Sequence, residues 1–379
     1  MNGPRTVGHR WVVKIGSSLL TNNGLGLDSA AIAQWVQQLL VLHRAGLELI
    51  LVSSGAVAAG MERLGWTQRP ERLHELQAAA SIGQAALIQT YQDFLHKGSV
   101  VGAQVLLTHD DLRDRQRHLA ARATLRTLLD MRVLPIINEN DAVTSSELRF
   151  GDNDTLAAMV SNLLEADLLV ILTDQEGLYD ADPRRHPDAR LLTEVRAGDP
   201  ALLAMAGGAG TGVGSGGMRT KVLAAERAAR SGTATIVCAG RQENVLLRLW
   251  AGEALGTYFH PALPKLAARK RWLAGQLRPR GTLHLDAGAA RVLLEKGSSL
   301  LPVGVRAAEG DFLRGDLVCC LDPEGQEVAR GLINFDLAEV RRRLGKTSDA
   351  IKAEFGNLDE PELIHRDNLV VTATRSPRG

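Results

Sequence analysis

Short runs of Val, Ile and Leu alternate with longer stretches of helical period from the start of the chain to about residue 255. Six runs read as strands: 11–15, 47–52, 100–107, 133–137, 168–172 and 234–238. They show little polar alternation, as expected of strands covered on both faces. Between them, residues 28–45, 71–96, 116–131 and 218–231 repeat their apolar positions at helical spacing. In the first of these, Ile32, Trp35, Val36, Leu39 and Leu40 form one stripe behind Asp28, a helix N-cap residue. Strands alternating with helices predict an α/β domain: a mostly parallel sheet sandwiched by helices.

The pattern changes near residue 261. Pro261, Pro264, Pro279 and Gly281 punctuate a stretch, 265–280, that is basic and contains no acid. Short β-like pieces follow at 281–285, 300–305, 316–321 and 328–334, with Asp322-Pro323-Glu324-Gly325 as a turn between two of them. The expected organisation is a first domain over 1–260, a linker over 261–279, a small β-rich domain over 280–358 and a polar, peripheral tail over 359–379. A length of 379 residues suits two domains.

Composition narrows the function classes. A hydrophobic fraction of 45% supports a large core. A formal net charge of +1 argues against a protein that works by bulk attraction to nucleic acid or acidic membranes. Cys238, Cys319 and Cys320 form no disulfide framework and fit a reducing compartment. Arg5, His9 and Arg10 precede no apolar signal segment, and no apolar run approaches the roughly 20 residues of a membrane span. The expectation is a soluble, cytoplasmic protein with no membrane partner.

Five clusters carry candidate chemistry. Lys14-Ile15-Gly16-Ser17-Ser18 follows the first strand, where a lysine and a glycine turn suit phosphate handling at the mouth of an α/β sheet; a solvated lysine beside an ordinary turn is the plainer reading. Ser53-Ser54-Gly55-Ala56 follows the second strand and opens a helical stretch over 58–64. Backbone N–H groups at such a helix start approach anions closely, although a tight turn needing glycine explains the residues equally well. Asn138-Glu139-Asn140-Asp141 and Gly151-Asp152-Asn153-Asp154 gather acids and amides able to hold an ammonium group, order lysines or meet magnesium; Asp152 also serves as a helix N-cap. Thr173-Asp174-Gln175-Glu176-Gly177 is a polar loop past a buried strand, a natural nucleotide contact or simply a loop closed by glycine. Gly212-Val213-Gly214-Ser215-Gly216-Gly217-Met218-Arg219-Thr220-Lys221 is either a phosphate cradle or a flexible linker. Its lysine, on a strongly periodic helix, favours the cradle. Its GxGxxG match does not follow a strand, which weakens a dinucleotide reading. Gly345-Lys346-Thr347 lacks the first glycine of a Walker A loop, and His365-Arg366-Asp367 has no Asp-Phe-Gly after it.

Taken in order, these motifs resemble those of the glutamate 5-kinases, within the amino acid kinase family. Lys296-Gly297-Ser298-Ser299-Leu300-Leu301-Pro302 resembles part of the PUA domain that many bacterial members carry. The resemblance spans nearly the whole chain. It implies transfer of the γ-phosphoryl of ATP to the side-chain carboxylate of L-glutamate, giving L-glutamyl 5-phosphate, the first step of proline biosynthesis. It implies that Lys14 and Lys221 neutralise the transferring phosphoryl while Asp154 sits between them. Ser54, Asp141 and Asn153 then hold glutamate. Lys14, Thr173 and Asp174 hold ATP together with the loop Ser215, Gly216, Gly217, Met218, Arg219, Thr220 and Lys221. It further implies Mg2+, a homo-oligomer (tetramer or dimer) and feedback inhibition by proline.

The chemistry is consistent with that scheme. A carboxylate is already a nucleophile at neutral pH, so the work lies in positioning two anions and screening their charge. Rival acceptors are N-acetylglutamate, aspartate or a nucleotide; an Asp141 near the substrate favours a free α-ammonium. RNA is the rival partner because PUA domains are frequent in RNA-modifying proteins. The acid-rich 281–331 region, with eight acids against five Lys or Arg, argues against it, and 265–280 reads better as a linker with solvated charges.

Overall fold

The computed structural model describes residues 8–22, 25–143, 153–207, 217–261, 279–355 and 361–372. The chain separates into two compact units, Met1–Leu263 and Pro264–Gly379. The expected linker lies almost wholly outside the described residues.

In the first unit the six apolar runs become strands β1 (Arg10–Ile15), β2 (Glu48–Val52), β3 (Gly102–Leu107), β4 (Leu134–Glu139), β5 (Leu168–Thr173) and, further on, β7 (Ala234–Ala239). Two short strands missing from the sequence reading complete the sheet: β6 (Glu194–Arg196) and β8 (Thr257–His260). The first is polar and the second spans four residues, so neither produces an apolar run. The order is β3-β4-β2-β1-β5-β7-β8-β6. The strands from β3 through β7 along the sheet run parallel, and β8 pairs antiparallel with β7.

Helices cover both faces. One face of the sheet presents Trp11, Val13, Leu49, Leu51, Val170 and Ile236 to α1 (Ser29–Arg44), α2 (Ala56–Leu64) and α3 (Leu73–Lys97). The alternate residues Val12, Ile50, Val52, Ile137, Leu169 and Val237 meet α4 (Arg115–Asp130), α5 (Asn153–Leu164) and α6 (Met218–Ala229). Period-two alternation along each strand thus divides the core into two layers. Asp28 caps α1, accepting from the Ala31 N–H at 3.0 Å. Helices α2 and α3 cross without room for side chains: a Cβ on Gly83 would lie 1.9 Å from the Ala56 carbonyl oxygen, and one on Gly60 1.8 Å from that of Ala79.

The second unit is a five-stranded sheet of order β10-β9-β11-β12-β13, from β9 (Gly281–Leu285), β10 (Val305–Gly310), β11 (Leu317–Leu321), β12 (Glu327–Leu332) and β13 (Leu369–Val371). Helices α7 (Ala287–Lys296) and α8 (Leu337–Arg343) pack on it. Two expectations are corrected. The strand expected over 300–305 begins only at Val305, because Pro302 opens a 3-10 turn, Pro302–Gly304, and has no N–H for a ladder. The expected peripheral tail contains Leu363, Ile364 and Leu369, all buried, and β13, which pairs antiparallel with β12. Polar residues separate these apolar ones, so no periodicity marks them as core.

Candidate active site

The alternation that builds the two layers also aims Lys14. Trp11, Val13 and Ile15 of β1 face α1 to α3, so Val12 and Lys14 face the layer of α5 and α6. Both of these helices start at the carboxyl end of the sheet. Asp154 occupies the first turn of α5 and Lys221 the first turn of α6. The three side chains meet there. Lys14 Nζ lies 2.6 Å from Asp154 Oδ1, and Lys221 Nζ lies 3.1 Å from Asp154 Oδ2. Thr220 Oγ1 donates to the same Oδ2 at 2.8 Å.

All three charged groups are buried, at 6%, 2% and 5% exposure for Lys14, Asp154 and Lys221. Burial pushes the Asp154 carboxyl upward, but the ammonium groups of Lys14 and Lys221 outweigh it and hold the group far below the usual carboxylate range. Asp154 is therefore a permanent anion shared by two cations, and the cluster carries a net positive charge.

A second group of polar side chains surrounds the loop after β2. Asn153 Nδ2 lies 2.9 Å from the Ser53 carbonyl oxygen, 2.8 Å from Ser54 Oγ and 3.1 Å from Asn138 Oδ1. Asn138 Nδ2 in turn donates to Gln84 Oε1 of α3 at 2.7 Å. These contacts leave Asn153 Oδ1 buried with no hydrogen-bond partner, and Asp141 Oδ1 is in the same condition. Burial pushes the Asp141 carboxyl up to about 7, against the opposing pull of the Arg69 guanidinium. A native protein rarely keeps buried acceptors empty, so both atoms call for a donor from elsewhere.

The remaining candidates lie beside β5 and α6. Thr173 ends β5 and donates to Asp174 Oδ1 at 3.0 Å. The Gly16 N–H donates to the Leu172 carbonyl at 3.1 Å, which brings the turn after Lys14 against this strand end. Gly217 precedes α6, Met218 is buried, and Arg219 is exposed. Thr220 turns inward to Asp154. Ser215 and Gly216 lie outside the described residues, as does Asp152 with its capping role.

Sequence reasoning misses Gln84, and it gives Asn138 and Ser53 only a share in the candidate roles of their clusters. Asn138 had a usable signal, an amide directly after a buried strand. Gln84 had none, because its partner is 54 positions away.

The chain matches the amino acid kinase family over residues 9–240 and the PUA domain over 281–355. Among its relatives, a glutamate 5-kinase of Stutzerimonas stutzeri is 60% identical over 362 residues, covering 96% of this chain and 97% of that one. Those of Ectopseudomonas mendocina (59% identical; 97% of this chain, 98% of that one) and Chromohalobacter salexigens (60% identical; 96% of each) are similarly close.

Proposed function

Because the chain belongs to the amino acid kinase family and carries a PUA domain, we propose that its Lys14–Asp154–Lys221 cluster is where a phosphoryl group passes from ATP to glutamate. The activity is that of a glutamate 5-kinase, the first step of proline biosynthesis. A side-chain carboxylate oxygen attacks the γ-phosphorus, the bond to the β,γ-bridging oxygen breaks, and ADP leaves with that electron pair. No proton has to move.

Geometry supports the roles. Each lysine brings an ammonium group with three donors to Asp154, where the phosphoryl oxygens are to be met. Asp154 fixes both ammonium groups before substrates arrive, so little reorganisation accompanies transfer. Thr173, Asp174 and the first turn of α6, Met218 to Lys221, flank this cluster on the nucleotide side. Ser54, Asn153 and Asp141 hold glutamate, and the two buried acceptors Asn153 Oδ1 and Asp141 Oδ1 receive its α-ammonium. N-acetylglutamate brings no charged amine to Asp141 and is the disfavoured acceptor.

Magnesium would accompany ATP. Such sites hold it through phosphate oxygens and one or two carboxylates, and no cluster of three or more His, Cys, Asp or Glu side chains suited to a resident ion is found among the described residues. When bound, it neutralises phosphate charge that the lysines only partly offset. The family's dimer or tetramer and its proline inhibition are extended to this chain on motif likeness. A cytoplasmic location suits its three free cysteines. No helix among the described residues is long and apolar enough to cross a membrane.

The observation that carries the proposal is the single carboxylate bridging two buried lysines. Trapping the acyl phosphate as a hydroxamate, with glutamate, N-acetylglutamate and aspartate compared and with proline added, tests it. Activity confined to N-acetylglutamate or aspartate would overturn the choice of substrate.

A further inference from the structure

Tyr91 is wholly buried in the apolar layer under β1 and β2, and it shares a face of α3 with Leu87 and Leu95. Phenylalanine would pack there as well, and burying a hydroxyl is costly unless it is hydrogen-bonded. Its oxygen lies 2.9 Å from Ser53 Oγ. Ser53 Oγ donates to the Ser54 carbonyl oxygen at 3.0 Å. With its one proton directed to the Ser54 carbonyl, the Ser53 hydroxyl is able to accept from Tyr91. The contacts form a chain from Tyr91 through Ser53 to the Ser54 carbonyl.

A peptide unit is planar and trans, so its C=O and N–H point in opposite directions. Drawing the Ser54 carbonyl toward the core turns the Gly55 N–H outward, at the carboxyl end of β2. Gly55 sits at φ +102°, a conformation that glycine tolerates and other residues rarely adopt, and its N–H has no backbone acceptor among the described residues at the start of α2. From the other side, Asn153 holds the Ser53 carbonyl and Ser54 Oγ, one residue before the Asp154 that bridges the lysines.

We infer that Tyr91 is a positioning residue for phosphoryl transfer, its hydroxyl setting the Ser54–Gly55 peptide so that the Gly55 N–H meets the reacting anions. The inference rests on the reading that this loop holds glutamate. Tyr91 touches no substrate and acts only through Ser53.

The test is a double-mutant cycle of Tyr91→Phe and Ser53→Ala in the full chain, followed by hydroxamate trapping and thermal melting. Each single variant is expected to lower kcat about fivefold, the worth of one hydrogen bond of about 1 kcal/mol, with KM for ATP unchanged. The double variant is expected to fall no further than the worse single. Additive losses overturn the relay. So does a Tyr91→Phe enzyme that melts earlier yet turns over normally, since that is what a purely structural hydroxyl gives. Ser54→Ala separates this inference from the reading beneath it. A raised KM for glutamate there, beside a normal Tyr91→Phe, sinks the relay alone; an unchanged KM sinks the glutamate-loop reading as well.

Discussion

Asp154→Asn tests the electrostatic reasoning most directly. The amide keeps the shape of the carboxylate and removes its charge, leaving two ammonium groups where an anion had joined them at 2.6 and 3.1 Å. Both nitrogens touch one carboxylate, so they are at most about 8 Å apart, and two unit charges at that distance repel by about 2 kcal/mol at an effective dielectric of about 20. Removing one partner from a buried ion pair costs about 3–5 kcal/mol. The variant should therefore melt well below the wild type. Its acid behaviour should differ too: the wild type gains stability from the depressed Asp154 pKa above the ordinary value of 3.8 and loses it as pH falls below that, a dependence the amide lacks. Displaced lysines should lower kcat by about a hundredfold or more, the scale of an ångström-sized misplacement. ATP affinity should hold or tighten, because its phosphates supply the missing anion. Melting curves with and without a non-hydrolysable ATP analogue, beside steady-state hydroxamate assays, read all of these quantities. A kcat within tenfold of wild type refutes the reasoning, as does loss of nucleotide binding in step with turnover.

Lys221→Ala should lower kcat by about 10²–10³, the scale of losing one transition-state donor, while KM for glutamate changes little; near-normal turnover would remove Lys221 from the mechanism. Because the Asp141 carboxyl sits at about 7, it loses its charge as pH falls through that value. kcat/KM for glutamate should then decline about tenfold per unit below it, and Asp141→Asn should flatten that limb and raise KM. Gly83→Ala forces a Cβ to within 1.9 Å of the Ala56 carbonyl. Overpacking of about 1–3 kcal/mol should appear as a lower melting temperature, and an unchanged one would contradict the close crossing of α2 and α3.

Local sequence carried much of this architecture. β1, β2, β4, β5 and β7 and the helices between them were legible because burial on both faces leaves few polar residues in a run; β3, at the sheet edge with only Leu107 buried, was legible from Val105, Leu106 and Leu107. The edge strand β6 and its neighbour β8 were not, being short and mixed in polarity. In the second unit, Leu363, Ile364 and Leu369 look like tail in the sequence because their burial depends on the bridge of Ile364 to Leu300 and the pairing of β13 with β12, partners their own neighbours do not reveal. The site divides in the same way. Lys14, Asp154 and Lys221 each follow a signal that local sequence shows: a strand end, an acid cluster, a glycine loop. Gln84 and Tyr91 sit inside a long helix, where a polar atom looks like any other until the fold brings Asn138 and Ser53 beside it.

The meeting of the two lysines follows from topology more than from any motif. β1 lies inside the sheet; the chain leaves it for β2, β3 and β4 on one side and returns on the other for β5 and β7. Loops leaving β1, β2 and β5 therefore diverge above the end of β1, which is where open α/β sheets bind ligands. The parallel register places Lys14 beside Val52 and Ile171, so Ser53 and Thr173 emerge one and two residues later on either flank. Phase settles the rest. Lys14 shares the face of Val12, which α5 and α6 cover, and those helices present Asp154 and Lys221 from their first turns. One residue earlier in β1, a lysine would enter the apolar layer with Trp11 and Val13, on the opposite side of the sheet from the anion that secures it.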